Sequence, residues 1–180
     1  YVQTNKKDIV TTGIELPGFI RKQTTNLKRS LSKNKTFKNM EDTSITTIDI
    51  DDLLKAKDAA ESLNTEVGSI VKSLLLRTKT SFLLCLVAGD KRCSLNKVKK
   101  LLNQKDISMA NAEQVKEITG FTIGGVSPVG HLNKIDIYID ESLKRFEKIF
   151  AAAGHPNAIF KIDFKNLKEI TNGMIMDVSE

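Results

Sequence analysis

The chain has 180 residues, with 28 Lys and Arg against 22 Asp and Glu, two histidines and two cysteines. That length suits one hydrophobic core, and 40% apolar residues with modest charge exclude a disordered chain. No apolar run approaches the ~20 residues that span a bilayer, and two cysteines cannot make a disulfide framework. Cys85 reads as an inert buried thiol inside an apolar segment. Cys93 follows a turn, the two would pair only by accident of geometry, and a reducing cytosol fits. Two histidines without ligand spacing point away from a metal site, and nothing calls for a cofactor. No signal peptide is visible, although the chain begins at Tyr1 rather than Met.

The positive charge is uneven. Residues 1–40 carry nine Lys and Arg against two Asp and Glu, and the remainder is slightly acidic. Residues 1–29 read as a basic extension, and a solvated segment is the preferred reading over an arm that holds phosphates. A basic helix is expected from Thr25 to Lys35, then a β-rich strand from Ile45 to Ile50. Asp51 or Asp52 caps a helix carrying Ala59, Ala60 and Leu63, ended by Asn64. Strands over 69–77 and 80–88 follow, the second apolar on both faces and hence central. Ser94 caps a helix through Leu102. Asn111 caps another through Ile118, closed by Gly120. Further on, the patterns predict a strand at Ile135–Ile139, a helix at Glu141–Phe146 and strands at 148–152 and 158–162. A helix over 163–171 and a strand over 174–178 finish the chain. Without regular βαβ alternation, this order predicts one mixed α/β domain with a largely antiparallel sheet.

Three segments carry candidate chemistry. Lys72 falls on a strand face with Ile70, Leu74 and Leu76, where a lysine snorkels to water, pairs, or lines a cavity. The stretch Thr119–His131 holds four glycines, Pro128 and His131 between apolar segments. It reads as a shaped backbone cradle in which the amides near Gly124, Gly125 and Gly130 approach a ligand. His131 is a general base by type, with a structural role preferred. Ser73 and Ser127 are nucleophiles by type alone, since no Ser-His-Asp or Cys-His set is present. In Ala88-Gly89-Asp90-Lys91-Arg92, Asp90 reads as a turn residue, and Lys91 and Arg92 suit phosphate. Finally Ala152, Ala153 and Gly154 leave space for a ligand.

Those segments, in that order, resemble the YbaK/prolyl-tRNA synthetase-associated editing domain family over roughly residues 30–180. The resemblance implies an antiparallel sheet curled toward a barrel, and an aminoacyl-tRNA deacylase acting on the aminoacyl end of mischarged tRNA. It places Lys72 where the family keeps an essential lysine, thought to contact the tRNA 3′ end and hold the ester. Gly124 to Pro128 matches the family's Gly-x-x-x-Pro element. The branch that removes cysteine has a serine about where Ala152 stands and an aspartate near Ile159, and neither is present here. A Ser/Thr-Arg-Thr run common in the family is replaced by Asp52-Leu53-Leu54-Lys55. Those differences point away from a cysteine-specific activity, and the leading expectation from the resemblance is removal of alanine or another small residue from tRNA(Pro). The chain would act in the cytoplasm, free-standing or with a prolyl-tRNA synthetase. The alternative is a catalytically silent tRNA-binding module of the same fold.

Overall fold

The computed structural model describes residues 45–47, 56–156 and 158–180. The expected helix at Thr25–Lys35, the caps at Asp51 and Asp52 and the later part of the first strand lie outside them. The strands are β1 (Ile45–Thr47), β2 (Ile70–Arg77), β3 (Phe82–Ala88), β4 (Ser108–Met109), β5 (Asp136–Asp140), β6 (Lys148–His155), β7 (Ala158–Asp163) and β8 (Met174–Met176). The helices are α1 (Ala56–Ser62), α2 (Leu95–Leu102), α3 (Ala112–Thr119) and α4 (Phe164–Thr171).

The strands form one mixed sheet in the order β1-β7-β6-β2-β3-β5-β8, with β4 on the β2 edge. β1/β7, β2/β3, β2/β4 and β6/β7 run antiparallel, and β2/β6, β3/β5 and β5/β8 run parallel. The fold is the expected mixed α/β class in a single domain. β3 lies between β2 and β5 and is buried from Leu83 to Ala88, which is why its sequence is apolar on both faces.

Each sheet face has its own core. On one, Leu75, Leu84 and Leu86 pack with Val115 of α3, Phe121 and Leu167 of α4. On the other, Leu76, Leu83, Cys85 and Val87 pack with Val98 of α2 and Val178. α1 adds a third cluster, where Ala59 and Ala60 meet Ile70 and Ile159.

Helix punctuation follows local chemistry. The Asn111 side chain accepts from Gln114 N, and the Gln114 side chain accepts from Asn111 N, completing a capping box. α3 closes on Gly120 at φ 80°, while α2 and α4 close on Asn103 and Asn172 at φ 50°. Asn64, also at φ 50°, follows α1 as expected.

Ser94 departs from expectation. It occupies the α2 cap position, yet its side chain makes no cap hydrogen bond and donates instead to Glu180 Oε2 at 3.0 Å. The expected helix at Glu141–Phe146 is a 3-10 segment, Glu141–Arg145, too short to propagate an α-helix. The last strand stops at Met176 rather than continuing to Val178. There Asp140 Oδ2 takes the Val178 N–H at 2.9 Å, and the Val178 carbonyl accepts from Ser94 N.

Candidate active site

The site arises from an interruption in strand pairing. Along one edge β2 pairs with β3 continuously from Val71 to Arg77. Along the other it meets β6 at Ile70 and Val71, and β4 at Leu76 and Arg77. Ala110 N donates to the Leu75 carbonyl at 3.0 Å, so Leu75 directs its backbone groups to that second edge. By strand alternation Ser73 does the same, and faces the gap between β6 and β4. The gap opens into a cleft of about 510 Å³ lined by Lys72, Ser73, Met109, Gly124 and Ala152, among others.

Ser73 sits at the floor of this cleft, surrounded by the apolar walls of Val71, Leu75, Val115, Val126 and Ala151. Among the described residues its Oγ is a buried side-chain oxygen without a hydrogen-bond partner. An unmade hydrogen bond at a buried hydroxyl costs about 1–3 kcal/mol, so the cleft holds an unfilled demand for a polar ligand atom.

Lys72 emerges from the opposite sheet face to Ser73, because neighbouring strand residues alternate. Its Nζ donates to the Lys91 carbonyl, which holds the ammonium beside the cleft. Burial lowers its pKa from the ordinary lysine value, Asp90 opposes that shift, and Arg92 adds to it. Asp90 itself forms a two-point ion pair with Arg145, at 2.9 and 2.7 Å. The Arg145 guanidinium also lies 4.8 Å from the centre of the Phe146 ring. Asp90 is thus a clamp on the β3 turn, and Arg145 holds its carboxyl below the usual range.

The glycine loop contributes unevenly. Gly124 has φ 86°, is exposed and lines the cleft. The Gly125 N–H is already given to the Thr122 carbonyl at 3.0 Å. Gly125 is buried, and a Cβ there would stand 2.8 Å from the His155 backbone, so its role is close approach of two main chains. Ser127 and Pro128 are buried, with Ser127 Oγ accepting from Val129 N at 3.3 Å. Gly130 turns the chain at φ 81°. His131 Nε2 donates to the Ser127 carbonyl at 2.7 Å, and its ring meets Phe121 edge-on with centroids 6.1 Å apart. Burial pushes its pKa down. These residues brace the loop, while Ile123, Gly124 and Val126 face the cleft.

Ala152 lines the cleft, opposite Ile159 in the β6/β7 register. Ala153 and Gly154 are buried in the register shift that follows, where Gly154 has φ 94°. Lys91 offers Lys72 its carbonyl and lines a separate shallow recess with Lys97 and Lys144. Arg92 is exposed and exchanges backbone hydrogen bonds with Glu180, both at 2.9 Å. Sequence reasoning missed Lys57, Met109 and Ile123, which also line the cleft. Met109 and Ile123 are exposed despite being apolar. Their spacing carries no signal, since only the fold brings them to one opening.

A family model described as the aminoacyl-tRNA editing domain matches residues 50–170. This chain belongs to the aminoacyl-tRNA editing domain family. It is accordingly an aminoacyl-tRNA editing hydrolase, of a kind found both free-standing and within prolyl-tRNA synthetases. One relative, from Enterococcus faecalis (strain ATCC 700802 / V583), is named as a candidate Cys-tRNA(Pro)/Cys-tRNA(Cys) deacylase, EbsC. It is 27% identical over 130 residues, covering 72% of this chain and 79% of its own length. A proline–tRNA ligase of Thermosipho africanus (strain TCF52B) is 32% identical over 127 residues, which are 67% of this chain and 22% of the ligase. A crystal structure described as a candidate trans-editing enzyme for prolyl tRNA synthetase superposes with a TM-score of 0.82 at 32% identity. The match covers 92% of this chain and 99% of that one. Among the described residues no helix of this editing domain is long and apolar enough to cross a membrane.

Proposed function

We propose that the chain hydrolyses the ester of mischarged tRNA(Pro) carrying alanine or another small amino acid, acting in the cytoplasm beside or within a prolyl-tRNA synthetase. The observation that carries this reading is the open stretch of the β2 edge. It puts the orphaned Ser73 hydroxyl at the bottom of an apolar cleft and the Lys72 ammonium beside it.

The 3′ end enters with its phosphate or ribose against Lys72, which a basic group beside a cleft favours. The aminoacyl group reaches past Gly124, and its polar atoms satisfy Ser73. The ester carbonyl is polarised by Lys72 and the Gly124 amide, which has no protein hydrogen-bond partner among the described residues. A water attacks, with a hydroxyl of the terminal ribose assisting proton transfer. Among the described residues neither the Ser73 nor the Ser127 hydroxyl is hydrogen-bonded to a base, and His131 bonds Ser127 only at its carbonyl, so a covalent acyl-enzyme finds no support. Ester hydrolysis needs only positioning and carbonyl polarisation. Small residues suit walls built by Val71, Val126, Ala151 and Ala152. About where the resembled cysteine-removing branch has a serine, and near where it has an aspartate, this chain has Ala152 and Ile159. They face each other in register and both line the cleft, which favours alanine over cysteine.

The test is hydrolysis of tRNA(Pro) charged with alanine, cysteine, serine, 2-aminobutyrate or proline, by wild type and Lys72→Ala side by side. Alanine should be released selectively, and Lys72→Ala should slow release by about 100-fold or more. Release of no ester, with tRNA still bound, would replace this reading with a binding module.

A further inference from the structure

The structure brings together two thiols that sequence reading left apart. On β2 and β3, Lys72 stands opposite Val87 and Leu74 opposite Cys85, so Lys72 and Cys85 are diagonal neighbours on one sheet face. Cys93 comes back over that face after the Lys91-Arg92 turn, held by its bridge to Ser179. It packs on the apolar cluster that contains Cys85, Val87 and Val178. Cys85 is fully buried and Cys93 half-buried. The same turn supplies the Lys91 carbonyl that holds Lys72.

The environment divides the labour between the thiols. The Cys93 thiol is drawn below its ordinary value first by a hydrogen bond from Cys85. Burial and Asp140 oppose this, and the Lys72 charge assists it. Cys85 is pushed up, first by that shared proton and then by burial. A half-buried thiol beside a cation, with a second thiol behind it, is the arrangement of a reactive cysteine with a resolving partner.

We propose that Cys85 and Cys93 are a peroxide-sensitive pair that closes to an intramolecular disulfide and thereby displaces the carbonyl that holds Lys72. The Cys93 thiolate attacks a peroxide oxygen. The O–O bond breaks, hydroxide leaves, and Cys93 becomes a sulfenic acid as the peroxide is reduced. The Cys85 sulfur then attacks the Cys93 sulfur. Its proton joins the departing hydroxide as water, and the S–S bond forms. Two thiols and one peroxide give one disulfide and two waters. A thiol reductant reverses the change, as expected of a transient disulfide in a reducing compartment. The link to Lys72 rests on the hydrolase reading above, whereas the thiol pair does not.

The experiment treats the reduced chain with hydrogen peroxide, blocks remaining thiols with N-ethylmaleimide, and maps peptides by mass spectrometry. The expected result is a linked pair of peptides containing Cys85 and Cys93, lighter by two hydrogens and restored by dithiothreitol. Cys93→Ser should form no link, and Cys85→Ala should leave a Cys93 sulfenic acid that dimedone traps. In parallel, hydrolysis of alanyl-tRNA(Pro) by wild type should fall at least several-fold on oxidation and recover on reduction. Cys93→Ser should keep its rate throughout. Two maleimide-blocked thiols after peroxide, or a link only between chains, would overturn the pair. A linked chain with an unchanged rate would overturn its coupling to Lys72. A reduced chain that hydrolyses nothing sinks the hydrolase reading, while the peptide map still decides the pair.

Discussion

His131 shows how a residue that reads as catalytic by type becomes a brace by environment. Its Nε2 donates to the Ser127 carbonyl, and burial lowers its pKa below the ordinary 6.5. The unfolded chain therefore takes up the proton first as pH falls. The stability contributed by the neutral ring is complete above 6.5 and is lost as pH drops through the folded value. His155, lowered by burial too, acts in the same direction. The melting temperature should fall as the buffer moves from about pH 7 to about pH 5. In His131→Gln, whose amide can donate to the same carbonyl without titrating, that fall should be shallower. An unchanged pH profile in His131→Gln would remove the ring from the account. The position of a histidine after a glycine loop is plain in the sequence. The carbonyl that captures it is not.

Among the elements, the parts fixed by neighbours in sequence were the legible ones. The Asn111–Gln114 box, the Gly120 stop and the apolar run of β3 each depend on residues within a few positions. Elements fixed at long range were missed or misread. β4 exists only because Ser108 and Met109 pair with Arg77 and Leu76. The fully buried Asp140 binds Val178 N and Ser179 Oγ from the far end of the chain, which truncates the last strand. Ser94 gives its hydroxyl to Glu180 for the same reason. The candidate site divides along this line. Lys72, Ser73 and Gly124 were legible from motif and pattern, but the interrupted pairing that makes a cleft of them is not local.

The loop and the β6–β7 turn are likewise bound at a point no sequence pattern marks. A Cβ on Gly125 would meet His155 Cα and C at 2.8 Å and Pro156 N at 2.9 Å, all backbone atoms that cannot rotate aside. Gly125→Ala should therefore destabilise by about 1–3 kcal/mol, the usual cost of overpacking. It should also slow hydrolysis, because relief moves Gly124. Denaturant melts and single-turnover rates would check this, and a variant with wild-type values for both would show the contact to be slack.

For the whole molecule, charge and cleft are separate assets. Nine of the 28 Lys and Arg lie within residues 1–40, ahead of the elements that form the cleft. Residues 1–29 read as a solvated segment rather than a phosphate arm, so deleting them should leave tRNA affinity and its salt dependence close to those of the full chain. Weaker binding with a flatter salt dependence would make the segment an arm. Turnover at saturating substrate should persist, because Lys72, Ser73 and Gly124 remain. Loss of turnover at saturation would mean that the basic segment completes the site.

Lys72 and Ser73 come from β2, whereas Ala152 and Ile159 come from β6 and β7, joined to β2 by two paired residues alone. Under the proposed function, β2 carries Lys72 and part of the pocket wall, while the two positions that set alanine against cysteine lie on another ribbon of the sheet. A substitution on the β6–β7 ribbon can alter which amino acid is discarded while the chemistry is inherited intact. A lineage using this architecture can follow changes in its cell's charging errors without rebuilding the machinery that corrects them.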